Sequence, residues 1–131
     1  MDVSPEYIKM RIAAIPDLGR GEPLAETFRS EQYYVKDDDD NYSVFVSRQG
    51  NWYVYHPGIG AGNQGRICQL ERQDQLQAMV EPECPLELLN RFYRWCDLTD
   101  IAGYDNSFEQ LWLAFVMKEL HSKQWSGAGW G

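Results

Sequence analysis

The sequence predicts an α+β fold, in which an N-terminal helix leads into an antiparallel sheet of three to four strands and two to three C-terminal helices pack on that sheet. Apolar residues recur at helical spacing at both ends of the chain, whereas the middle contains short aromatic and β-branched runs separated by turn-forming residues. The apolar fraction of 44% and the aromatic fraction of 14% are typical of a packed globule rather than of a disordered chain.

The N-terminal helix is predicted to begin at Ser4 and Pro5. A serine hydroxyl accepts a hydrogen bond from the free amides of a first helical turn, and proline fits the first helical position. Three residues at helical spacing then give the helix an apolar face: Ile8, Ile12 and Ile15. We expect Pro16 to end the helix and residues 16–23 to form a loop.

Residues 32–36, 42–47 and 52–56 are predicted as strands, with residues 66–70 as a candidate fourth strand. Four consecutive aspartates at 37–40 predict a solvated turn after the first strand, because adjacent carboxylates repel each other and cannot be buried unpaired. Gly50 and Asn51 suit a tight turn between the second and third strands, which should form a hairpin.

The hairpin register decides which side chains share a face. A loop of two or four residues without a bulge places Val44, Val46, Tyr53 and Tyr55 on one face, which we expect to meet the core. The opposite face then carries a mixed set of bulky and polar side chains, which we expect to meet solvent: Ser43, Phe45, Ser47, Trp52, Val54 and His56.

Two or three helices are predicted in the C-terminal half. Residues 74–80 form a short candidate helix, and Pro85 can open a second helix with an apolar stripe of Leu86, Leu89, Phe92, Tyr93 and Cys96. The last helix should span residues 107 to about 120. It is apolar around most of its circumference, so it is either buried on several sides or half of a dimer interface. We expect its most buried residues to include Leu111, Trp112 and Phe115.

The chain length of 131 residues predicts one domain, which we place at residues 1–124, followed by a flexible Gly/Trp tail at residues 125–131. Trp130 lies in this tail and fits no periodic pattern. An aromatic side chain that finds no place in the core is a candidate anchor for a partner protein.

The charge and cysteine content restrict the partners and the compartment. A net charge of −8 without a basic run argues against binding to nucleic acid or to an anionic membrane surface. The N-terminus lacks an apolar signal segment, and the longest apolar run is too short to span a membrane. Three cysteines are an odd, sparse set, which together with the missing signal predicts a cytoplasmic protein.

No pattern in the sequence predicts catalysis, a cofactor or a metal. Gly60, Gly62 and Gly65 match the spacing of a dinucleotide-binding loop, but the preceding strands are predicted as an antiparallel hairpin rather than a βαβ unit. The two histidines and three cysteines have no zinc-binding spacing. Cys84 precedes a predicted helix, which lowers a thiol pKa, but Glu81 and Glu83 nearby oppose that effect.

We therefore expect a non-catalytic protein–protein interaction module, such as an adaptor, an assembly factor or a chaperone for another protein. The predicted binding surface is the outer hairpin face with Phe45, Trp52, Val54 and His56, assisted by Trp130. Asp38 and Asp39 would steer a basic partner surface.

Two alternative functions and one assembly state stay open. The acidity also fits an inhibitor or immunity protein, or a nucleic-acid mimic, acting on a basic protein. A small enzyme with an unrecognised site is the second alternative. The apolar last helix leaves a homodimer open as well.

Overall fold

The computed structural model describes residues 1–19, 31–36, 41–47, 49–56, 66–80, 84–99 and 106–131. It confirms the α+β class, with one N-terminal helical segment, a four-stranded antiparallel sheet and three C-terminal helices. The helices are α1 (Pro5–Ala13), α2 (Ile15–Leu18), α3 (Gln73–Val80), α4 (Pro85–Thr99) and α5 (Phe108–His121). The strands are β1 (Glu31–Lys36), β2 (Asn41–Val46), β3 (Trp52–His56) and β4 (Arg66–Leu70).

The contacts divide the chain into two compact units. One unit comprises Val3–Glu71 and contains α1, α2 and the sheet. The other comprises Met1–Asp2 with Arg72–Gly131 and contains α3, α4 and α5. The single domain that the sequence predicts for residues 1–124 stays a prediction. Among the helices in the described ranges, none combines the length and the apolar content needed to cross a bilayer.

The start of α1 agrees with the sequence, whereas its end does not. The Ser4 hydroxyl accepts a hydrogen bond from the Tyr7 amide at 3.3 Å, and Pro5 occupies the first turn. The helix ends at Ala13, two residues earlier than predicted, and Ile15 belongs to α2, which extends to Leu18 where the sequence predicted a loop. Pro16 lies in the first turn of α2, where its missing amide hydrogen leaves no helical hydrogen bond unmade.

The sheet is a simple meander, in which each strand pairs antiparallel with the next strand along the chain. The predicted pairing of the second and third strands is confirmed, but the predicted register is wrong. Val44 lies opposite Val54, and Phe45 lies opposite Tyr53. Val46 and Tyr53 therefore point to opposite faces, whereas the prediction placed them on one face.

The hairpin loop explains the error. Five residues, 47–51, separate β2 from β3, whereas the prediction assumed an even number. The Ser47 amide donates to the Asn51 carbonyl at 2.8 Å, and the Gly50 amide donates to the Ser47 carbonyl at 3.0 Å. Because Ser47 and Asn51 still bond to each other, the loop between them has three residues. Gly50 is the last of these and has a φ of 82°, the left-handed conformation that three-residue hairpin loops require there. The odd loop length shifts the register by one residue and moves every side chain of β3 to the other face.

The corrected register defines the core of the sheet. Four side chains from three strands share one face and are fully buried: Val44, Val54, Cys68 and Leu70. The opposite face carries Phe45 and Tyr53, whose rings stack at 6.3 Å between centroids and are less than a tenth exposed. Both faces of the central strands are therefore shielded from solvent near the middle of the sheet.

A buried ion pair joins α1 to the residue that follows β4. The Arg11 guanidinium donates from Nε and Nη2 to the two Glu71 carboxylate oxygens at 2.7 and 3.0 Å, and from Nη2 to the Gly19 carbonyl at 3.0 Å. Tyr7 donates its hydroxyl hydrogen to the Glu71 carbonyl at 2.7 Å. Burial by itself lowers the pKa of Arg11, but the hydrogen bond and the charge of Glu71 outweigh burial and raise it. The Arg11 guanidinium is thereby held in its charged form in the interior.

The second unit is built around α5. The predicted helix is confirmed, with Ser107 as its N-terminal cap accepting from the Gln110 amide at 3.1 Å. Asp2 binds at this cap, because its carboxylate accepts hydrogen bonds from the Ser107 hydroxyl and from Gln110 Nε2. Leu111, Trp112 and Phe115 are at most 9% exposed, as predicted.

An aromatic cluster joins α4 to α5. Phe92 stacks on Trp112 with 3.9 Å between the ring centroids and 7° between the planes. Phe115 meets both rings edge-on, at 5.5 Å from Phe92 and 5.6 Å from Trp112. These stacked and edge-to-face arrangements stabilise the pair of helices beyond the simple burial of apolar area.

The last residues have a local folded conformation. Gln124 and Gly131 exchange two backbone hydrogen bonds, at 2.9 and 3.1 Å. Within this turn, Trp125 pairs with Trp130 in a single antiparallel β-bridge, and the centroids of their rings are 5.0 Å apart. The flexibility predicted for residues 125–131 stays a prediction, but composition alone gave no sign of this pairing.

We predict that either charge of the Arg11–Glu71 pair is costly to remove alone. Arg11→Met or Glu71→Met should each lower the free energy of unfolding by about 3–5 kcal/mol, because the remaining charge is buried without a partner. The Arg11→Met/Glu71→Met double variant should lose less than either single variant. Urea denaturation followed by circular dichroism measures all three values.

Arg72→Met is the matched control, because it breaks the exposed Arg72–Asp74 pair, which is 3.1 Å long. It should cost less than about 1 kcal/mol, as exposed ion pairs usually do. Single variants of Arg11 and Glu71 that are as stable as the control would contradict the assigned role of the buried pair.

Candidate functional site

The corrected register divides the surface that the sequence predicts for partner binding. Phe45 lies on one face of the sheet and is 8% exposed, whereas Trp52 and Val54 lie on the other face. Val54 is fully buried, and Trp52 is partly buried. The prediction that these three residues form one exposed face is therefore wrong, and its reason is the odd length of the hairpin loop.

Of the other predicted binding residues, only Trp130 has a side chain that the structure describes. Asp38 and Asp39 lie outside the described residues, as does the side chain of His56. Trp130 is described and packs against Trp125 in the C-terminal turn. The glycine-rich segment with Gly60 also lies outside the described residues.

One exposed apolar surface among the described residues lies on α4. Leu86 and Tyr93 are each 74% exposed, and Leu89 is 46% exposed. These three side chains follow the spacing i, i+3, i+7, so they form one continuous stripe along the helix. We call them the α4 stripe. The sequence analysis grouped these three residues with Phe92 and Cys96 in a single apolar stripe.

The buried face of α4 is a neighbouring one. Leu88, Phe92 and Cys96 are at most 9% exposed and follow the spacing i, i+4, i+8. The predicted stripe combined residues of both faces, since Phe92 and Cys96 are buried whereas Leu86, Leu89 and Tyr93 are exposed. Helix α4 thus has apolar residues on two faces, of which one packs in the second unit.

A groove between α3 and α4 adjoins the stripe. It has a volume of about 410 Å³ and an apolar lining of Ala78, Pro85, Leu88 and Leu89. Gln73, Asp74 and Gln77 give its α3 side a polar rim. Leu89 belongs to both the groove and the stripe, so the two form one continuous surface, which we call the α4 surface.

Charged side chains border the α4 surface. Asp97 is exposed beside the stripe near the C-terminal end of the helix, whereas Glu87 and Arg94 are exposed farther round, on the face that carries Leu98. Arg91 lies farther round the helix and forms an ion pair with Glu119 at 3.3 Å. At the groove rim, a hydrogen bond from Arg72 lowers the pKa of Asp74. The surface therefore has an apolar centre, with polar and acidic side chains at its edges.

The described residues also contain one exposed thiol. Cys84 directly precedes α4, and hydrogen bonds from the Glu87 and Leu86 amides lower its pKa. Burial raises the pKa of the Cys96 thiol, and Cys68 is fully buried. Within the described ranges, no group of three or more His, Cys, Asp and Glu side chains is placed to hold a metal ion.

We predict that Cys84 is the reactive thiol of the folded protein. Ellman's reagent should modify one thiol rapidly in the native state and all three cysteines after unfolding, because Cys68 and Cys96 are buried. The Cys84→Ser variant should lack the rapid phase. Three thiols that react equally fast in the native protein would contradict the burial of Cys68 and Cys96.

The comparisons with known proteins give the chain no relatives. No family model matches the sequence, no curated protein matches it, and no solved structure matches the chain. Any function must therefore be argued from the surface and its chemistry.

Proposed function

We propose that the protein is a non-catalytic protein–protein interaction module, which serves as an adaptor, an assembly factor or a chaperone for another protein. The observation that supports this proposal is the exposure of Leu86, Leu89 and Tyr93 on one side of α4. The docking surface that we propose is the α4 surface, which replaces the hairpin face expected from the sequence.

The free energy of burial favours a partner on this surface. Burying a large apolar side chain gains about 1.5–3 kcal/mol relative to leaving it in water. Leu86 and Tyr93 are each 74% exposed in this chain, so most of that gain is still available to a binding partner. Contiguous apolar patches of this kind on a folded protein are typical of interaction sites.

The shape and rim of the surface also fit protein recognition. A groove with an apolar floor next to an exposed helical stripe suits an amphipathic helix, which lays its apolar face between two helices. Gln73, Asp74 and Gln77 border the groove, as polar residues border the apolar centre of an interface. Tyr93 adds an aromatic side chain of the type that often dominates binding energy.

The net charge of the chain affects the rate at which it associates with a partner more than the strength of the final contact. A chain of net charge −8 attracts partners with basic surfaces and accelerates their association at low salt. The acidic-inhibitor alternative depends on the aspartates at 37–40, which lie outside the described residues. The α4 surface favours the interaction module over that alternative.

The proposal predicts that loss of the stripe abolishes partner capture. We expect the tagged wild-type protein to capture a specific protein from its native lysate, and the Leu86→Glu/Tyr93→Glu double variant to lose it. Charges placed at the centre of an apolar interface are desolvated without a partner, which costs affinity. Quantitative mass spectrometry of the captured proteins provides the measurement.

Leu98→Glu is the matched control, since Leu98 is 84% exposed on α4 but lies about 140° around the helix from the stripe. It should capture the same protein as the wild type. Thermal melts establish that all variants are folded. Equal capture by the wild type and the double variant would contradict a docking role for the α4 surface.

A further inference from the structure

We draw no further inference here: the strongest candidate, the exposed apolar stripe of Leu86, Leu89 and Tyr93 on α4 with its adjoining groove, belongs to the surface already described, and nothing in the structure shows what covers it.

Discussion

The first unit depends on the buried ion pair between Arg11 and Glu71. An arginine and a glutamate that are both almost inaccessible to solvent are tolerated only when they are paired, and here two hydrogen bonds join them. The pair fixes α1 against the end of β4, and the Tyr7 hydroxyl reinforces the same attachment through the Glu71 carbonyl. These contacts join α1, the first element of the unit, to the end of β4, its last element. The buried sheet face with Val44 and Val54 belongs to the same unit.

The sequence predicts elements better than it predicts faces. The start of α1, the pairing of β2 with β3 and the span of α5 follow from local signals, such as the Ser4 and Ser107 caps. The hairpin register does not, because it depends on a loop of odd length that Gly50 closes with a positive φ. A shift of one residue in the pairing register moves Val54 and Trp52 to the other face of the sheet. The predicted binding surface was wrong because it depended on the predicted register.

Helix α4 is a second case in which the sequence predicts the element but not the face that it buries. Its apolar residues predict a helix correctly, but they occupy two faces, and spacing alone does not reveal which face packs against α5. The stacking of Phe92 on Trp112 selects the buried face and leaves Leu86, Leu89 and Tyr93 exposed. Tertiary packing thus determines which apolar residues of α4 stay exposed, and the candidate site is identified from the exposed fraction of each side chain in the folded structure.

The central claim is that the α4 surface is where this chain binds protein. The most direct test is ¹⁵N NMR of the labelled chain, titrated with the protein that it captures from its native lysate. We expect the amide signals of α4 between Leu86 and Tyr93 to change most, together with those of Ala78 and its neighbours in the groove, while the signals of β2 and β3 stay constant. Changes centred on the hairpin strands, or an α4 that does not respond to the bound protein, would contradict the claim.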